Sequence, residues 1–326
     1  MKIHAELIST GAYCPGEAVP NESLTQFPAD AIPLIGQKTG VMSRHYAAET
    51  QATSDLGFEA AKSCLSRANV AAENIDAIIL ATSSPDRVQP ATATRIQHLL
   101  GATRAFAFDI NSVCGGTVFA IHVARGLIES EMCRNILVVG AEIYSRWLNP
   151  RDFSTYPYFG DGAGALLLSA GMSDRGVLHS ICHSDGAGSD IIQVPGGGTL
   201  LPFAKMSRPE DACFRMRGRQ VYDFAVEKGT EVIRELLDGA GLELSEISRI
   251  IPHQANINIL HEQALRLGVR DDLFFHNLER VGNTAAASIP IALHEAIVTR
   301  AVATGDRVVL VGFGGGLSWG SVLLRL

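Results

Sequence analysis

The chain has 326 residues, 47% of them hydrophobic, enough for a large core as one big domain or two fused halves. Its net charge of −7 argues against a globally basic nucleic-acid or membrane-surface binder. Six cysteines occur singly with no CxxC pair, no apolar run approaches a membrane span, and the first residues carry no continuous apolar signal core. These features argue against a zinc or thioredoxin-type site, a membrane protein and a secreted one, and a cytoplasmic setting is expected.

In chain order, residues 53–68 read as a helix, with Ser54 and Asp55 near its start. Ala77–Ala81 is a short, continuously apolar run of the kind buried on both faces of a sheet. The alternating run 105–110 leads into Asp109-Ile-Asn-Ser-Val-Cys-Gly-Gly-Thr117, and a small, apolar segment, 118–127, follows. This reads as strand, sharp turn and helix, with a thiol at the helix start. Residues 135–140 form another buried strand, and the Gly-rich stretch 160–168 another. Residues 219–240 read as a long helix ending near Gly239 and Gly241, followed by strands at 249–252, 307–312 and 314–324. Strands alternating with helices indicate an α/β fold. Each half runs helix, strand, strand, glycine-rich turn, strand, so a duplicated unit is inferred, with halves 1–171 and 172–326. A site at their junction is the default expectation.

Cys114 is the first candidate for chemistry. Unpaired N–H groups and the dipole at a helix start lower a thiol pKa, and Gly115 and Gly116 allow close approach. A buried structural cysteine is the competing reading. His253, in Ile251-Pro-His-Gln-Ala-Asn256, sits where open α/β sheets place ligands, at a strand's C-terminal end. The alternative is a loop histidine held by backbone. Asn283, in Val281-Gly-Asn-Thr284, precedes a small-residue helix and competes with a plain N-cap role. Gly314–Gly316 offers backbone N–H donors to an oxyanion, or a tight turn. His122 is expected to be a satisfied core residue. His261–Glu262 and His294–Glu295 lack the second histidine of HExxH. A thiol, a histidine, an asparagine and a glycine-rich donor together suit thioester chemistry.

With those residues the chain resembles the β-ketoacyl-acyl-carrier-protein synthase III family, the initiating condensing enzymes of the thiolase superfamily. The resemblance runs nearly end to end. It is carried by Thr39-Gly-Val41 with Arg44, Ser112-Val-Cys-Gly-Gly116, Phe159-Gly-Asp-Gly-Ala-Gly-Ala165, His183-Ser-Asp-Gly186, Pro252-His-Gln-Ala-Asn256, Gly282-Asn-Thr284 with Ala286-Ala-Ser288, and Phe313-Gly-Gly-Gly-Leu-Ser-Trp-Gly320. It implies a five-layered α-β-α-β-α duplicated thiolase-type fold, and a homodimer. It implies that Cys114 carries the acyl primer and that the N–H groups of Cys114 and Gly315 form an oxyanion hole. His253 and Asn283 would bind the carbonyl of a malonyl thioester, expected on acyl carrier protein, and stabilise the enolate left by loss of carbon dioxide. No metal and no redox cofactor are implied.

The sequence departs from that family where coenzyme A should bind. Leu34 stands in the place of an adenine-stacking tryptophan, and Phe153 and Asn258 in the places of two arginines, while Lys38 is the basic residue before Thr39-Gly40. Arg215, Arg217 and Arg219 are offered as replacements that could hold phosphates or an acidic carrier protein, with a solvated loop as the alternative. Gln89 stands where the family often has an apolar or aromatic acyl-pocket residue, and Tyr156 and Tyr158 lie nearby. A non-condensing acyltransferase, a Cys-His-Asn thioester hydrolase and a non-catalytic partner subunit stay open as rivals.

Overall fold

A computed structural model describes residues 3–326. Its strands are β1 (His4–Tyr13), β2 (Val19–Pro20), β3 (Ser43–Arg44), β4 (Ala77–Ala81), β5 (Phe106–Ile110), β6 (Asn135–Glu142), β7 (Gly162–Gly171), β8 (Gly176–Ser184), β9 (Ile192–Gln193), β10 (Arg215–Met216), β11 (Arg249–Pro252), β12 (Arg307–Gly314) and β13 (Ser318–Arg325). Its helices are α1 (Ile32–Thr39), α2 (Thr53–Ala68), α3 (Ala93–Leu100), α4 (Gly116–Glu129), α5 (Gly218–Ala240), α6 (Ile257–Leu267), α7 (Leu278–Val281) and α8 (Ser288–Val298). Among the described residues no helix is long and apolar enough to cross a membrane.

Two sheets organise the chain. One has the order β1-β7-β6-β4-β5 and the other β11-β12-β13-β8. In the first, β4 runs parallel to β6, β6 antiparallel to β7, and β7 antiparallel to β1. In the second, β11 runs parallel to β12, β12 antiparallel to β13, and β13 antiparallel to β8. The same ladder is thus built twice, and the first copy adds β5, parallel to β4. Phe274 marks the corresponding place in the second copy, where it makes an isolated parallel bridge to Ile250.

Alternation within the buried strands generates the layers. Ile78 and Leu80 of β4 and Leu137 and Val139 of β6 pack under α2 and α3. Their neighbours Ala77, Ile79, Ile136 and Val138 face the other way, into a core shared with α4, α8 and residues of β11, β12 and β13. On the far side, Val309, Val311 and Leu323 pack under α5 and α6. This gives helix, sheet, helix, sheet, helix, the five-layered arrangement of the thiolase fold. Each fully buried Ile or Leu contributes roughly 1.5–3 kcal/mol, so the central layer is held by apolar area from both sheets at once.

Candidate active site

The corner that holds Cys114 begins where β5 ends. Val113 adopts φ +46°, unusual for a β-branched residue, and its N–H donates to Asn111 Oδ1 at 3.3 Å. A 3₁₀ turn, Val113–Gly115, then runs straight into α4. Cys114 lies in that turn and is only 6% exposed. The helix start was expected to depress its pKa. Burial pushes the thiol up instead, and the nearby Glu142 carboxyl adds to that push. The resting residue is therefore a neutral thiol.

The second half builds a matching corner. Ala285 also adopts φ +46°, and its N–H donates to Asn283 Oδ1 at 2.9 Å. A 3₁₀ turn, Ala285–Ala287, again runs straight into a helix, α8. With its oxygen so engaged, the Asn283 amide turns its NH₂ group elsewhere, and Asn283 lines the same cavity as Cys114. The two corners interlock: Thr117 Oγ1 donates to Ala286 O at 2.6 Å. A Cβ at Gly140 would lie 2.6 Å from both of those atoms, so only glycine lets β6 pass beneath.

His253 enters from a third direction, directly after β11. Its backbone N–H donates to Val311 O at 2.7 Å, its ring Nδ1 lies 2.7 Å from Ser288 Oγ, and its ring meets Phe313 edge-on at 5.2 Å. Burial lowers its pKa to about 3, so the imidazole is neutral. The Gly314–Gly316 turn closes the fourth side. Gly314 lines the cavity, and a Cβ there would lie 2.8 Å from Cys114 N. Gly315, the expected oxyanion donor, is buried directly beside it.

Cys114, His253 and Asn283 thus share one cavity of about 190 Å³. Its walls are apolar, with Phe159, Ile192, Phe214, Val221, Tyr222 and Phe224 among them. Such a space suits an acyl chain and the thin arm of a thioester. Among the described residues, no cluster of three or more His, Cys, Asp or Glu side chains is placed to hold a metal ion.

Sequence reasoning passed over two residues here. Glu142, at the C-terminal end of β6, is fully buried and accepts from Ser83 N (3.0 Å), Ser83 Oγ (2.9 Å) and Ser84 N (2.9 Å). Burial raises its pKa to about 7 despite those donors. An acidic residue ending an apolar strand was the available signal. The other is Ser288, which stands in the Ala286-Ala-Ser288 motif of the resemblance but is given no role from sequence.

The mouth differs from expectation. Asn258 spends its amide on the Lys38 carbonyl (2.8 Å), tying α6 to α1, and Asn256 does the same at 3.1 Å. The Lys38 side chain is exposed on the last turn of α1. Phe153 packs edge-on against Phe27 at 5.2 Å in an aromatic cluster with Tyr156 and Tyr158. Arg215 bonds Asp211 (3.2 Å) and the Glu210 carbonyl (2.9 Å), and Arg219 pairs with Asp223 at 2.9 Å. Arg217, the N-cap of α5, makes no side-chain hydrogen bond or ion pair among the described residues. Gln89 is exposed and is not among the residues that line the cavity. His122 is likewise exposed rather than in the core, and its Nδ1 lies 2.9 Å from Ser180 Oγ.

Family models for 3-oxoacyl-[acyl-carrier-protein] synthase III match residues 108–186, and for its C-terminal region residues 237–326. A beta-ketoacyl-[acyl-carrier-protein] synthase III of Rhodospirillum centenum is 41% identical over 329 residues, covering 100% of both chains. The chain belongs to the 3-oxoacyl-[acyl-carrier-protein] synthase III family. The crystal structure of the synthase III from Aquifex aeolicus VF5 superposes with a TM-score of 0.91 at 36% identity, over 99% of this chain and 100% of that one. The priming β-ketosynthase of the R1128 polyketide biosynthetic pathway gives a TM-score of 0.91 at 28% identity, over 100% and 97%. As a synthase III family member, the protein is an enzyme built on the thiolase fold.

Proposed function

We propose that this synthase joins an acyl primer to a malonyl group on acyl carrier protein, with loss of carbon dioxide, to give a β-ketoacyl product. The observation that carries this reading is the convergence of Cys114, His253 and Asn283 on one apolar cavity from both halves of the fold. In the first half-reaction the Cys114 sulfur attacks the primer thioester. The carbon–sulfur bond to the donor breaks, and the donor thiol leaves with the proton lost by Cys114. The backbone N–H groups of Cys114 and Gly315 are the proposed oxyanion donors. In the second, the malonyl carboxylate leaves as carbon dioxide, and its bonding electrons form an enolate. Donors from His253 and Asn283 hold the enolate oxygen. The enolate carbon then attacks acyl-Cys114, and the expelled thiolate regains a proton from solvent.

The free Arg217 supports a carrier-protein donor or acceptor. It is a cation on the rim, next to Gly218 and Val221 of the cavity wall, and no side chain among the described residues pairs with it. Arg217→Glu is expected to slow transfer from carrier protein several-fold, with strong salt dependence, while a pantetheine thioester reacts normally. A homodimer is proposed on the exposed β5 edge, where Phe106 is 49% exposed and stacks on Phe108. Sedimentation at micromolar concentration checks it: the dimer is the expected species.

The test of the function is product identity. Incubation with a panel of acyl thioesters and malonyl carrier protein is expected to leave a β-ketoacyl group on the carrier, seen by mass spectrometry. Free acid without a new carbon–carbon bond would instead support a hydrolase.

A further inference from the structure

The second corner carries one group that the first lacks. The residue opening α4 is Gly116, and the residue opening α8 is Ser288. Ser288 is fully buried, and its hydroxyl lies 2.7 Å from His253 Nδ1 and 2.8 Å from Ala285 O. A hydroxyl has one proton to give, and two acceptors lie within reach. Ala285 O already receives the Ser288 backbone N–H. It does not need the hydroxyl.

The state of His253 settles which acceptor matters. A neutral imidazole carries one N–H, on Nδ1 or on Nε2. Stabilising an enolate oxygen in the cavity requires that proton on Nε2, beside the NH₂ group of Asn283. Nδ1 is then a bare lone pair in a buried site, and it needs a donor. The Ser288 hydroxyl at 2.7 Å is that donor.

We infer that Ser288 is a positioning residue that donates its hydroxyl to His253 Nδ1 and so keeps the His253 proton on Nε2, aimed into the cavity. Gln254, whose N–H approaches Ser288 Oγ at 3.4 Å, helps to aim the rotor toward the imidazole. Ser288 touches neither substrate nor the reacting atoms. Its effect falls on the decarboxylation step, because acylation of Cys114 does not use the Nε2 donor. This inference rests on the condensation reading for its consequence, but the tautomer can be read without any turnover.

The experiment is ¹⁵N NMR of the histidine ring nitrogens in the resting protein near pH 7, with His253→Gln used to assign the signals. The wild type and Ser288→Thr, which keeps the hydroxyl, are expected to show a protonated Nε2 and a bare Nδ1. Ser288→Ala is expected to lose that single tautomer. Its release of carbon dioxide from malonyl carrier protein should fall roughly 10-fold or more, toward the roughly 10²–10³ of losing a donor outright, with acylation of Cys114 close to wild type. A wild-type spectrum with the proton on Nδ1 overturns the inference, whether or not the variant folds. So does a Ser288→Ala enzyme that decarboxylates at the wild-type rate. If the wild type releases no carbon dioxide at all, the condensation reading fails, and the wild-type spectrum still decides the tautomer.

Discussion

The corner at 111–116 and the corner at 283–288 are built on one backbone plan and carry different side chains. Each has an asparagine whose Oδ1 receives the N–H two residues on, a non-glycine residue at φ +46°, a 3₁₀ turn and then a central helix. In the first, the second residue of the turn is Cys114. In the second it is Ala286, whose carbonyl receives Thr117 from the other corner. The side chains at matching positions divide the labour: one corner presents a thiol, the other an amide and, through Ser288, an oriented histidine. The backbone supplies the geometry, and in the proposed reaction single side chains choose the half-reaction.

If that division holds, removing the thiol produces the largest effect. Cys114→Ala is expected to abolish acyl-enzyme formation and product while thermal unfolding stays near wild type. Acyl mass appearing on another cysteine, with product still made, would break the comparison at its strongest point. Asn283→Ala comes next. Condensation should fall roughly 10²–10³-fold, the usual cost of one charge-stabilising donor, with acylation retained.

A smaller effect lies in stability against pH. His253 has a folded pKa of about 3, below its unfolded value of about 6.5. The unfolded chain therefore binds the extra proton between those limits. The contribution is fully present above about pH 6.5 and is lost as pH falls toward 3. Urea unfolding of wild type and His253→Gln across pH 4–7 should show a shallower acid loss in the variant. Glu142 works in the opposite sense. Its folded pKa of about 7 exceeds the ordinary carboxyl value, so its contribution is present at low pH and is lost as pH rises toward 7. The smallest effect belongs to the shared backbone. Residues held at positive φ store about 1–3 kcal/mol, and a new glycine loosens the unfolded chain by about 0.4–1 kcal/mol. Ala285→Gly should thus be neutral or slightly stabilising in thermal unfolding. A clear loss of stability there would show that the two corners are not strained alike.

The features that local sequence determines were the readable ones. Continuous apolar runs such as 77–81 and 307–312 marked strands buried on both faces, and the repeated order of elements exposed the duplication. Cys114, His253 and Asn283 were picked out because each follows or precedes an element end, and the fold collects element ends in one cavity. What escaped depends on partners far along the chain. The thiol pKa is pushed up by burial within the whole fold and by the Glu142 carboxyl, which lies 28 positions along the chain. Asn258 is noticed only as standing in the place of a family arginine, and its partner, the Lys38 carbonyl, lies far along the chain. Arg215, Arg217 and Arg219 look alike as a string, and only the positions of Asp211 and Asp223 separate two paired arginines from a free one. Ser288 lies among alanines and gains meaning only through a histidine on another strand.

The division of labour between the corners is tested most directly by intact-protein mass spectrometry of Asn283→Ala, treated first with an acyl thioester and then with malonyl carrier protein. The expected result is an acyl adduct on Cys114 that forms at close to the wild-type rate and persists after the malonyl donor is added, while the wild type discharges it. An Asn283→Ala enzyme that never acquires the adduct, or that discharges it as fast as the wild type, would contradict the account.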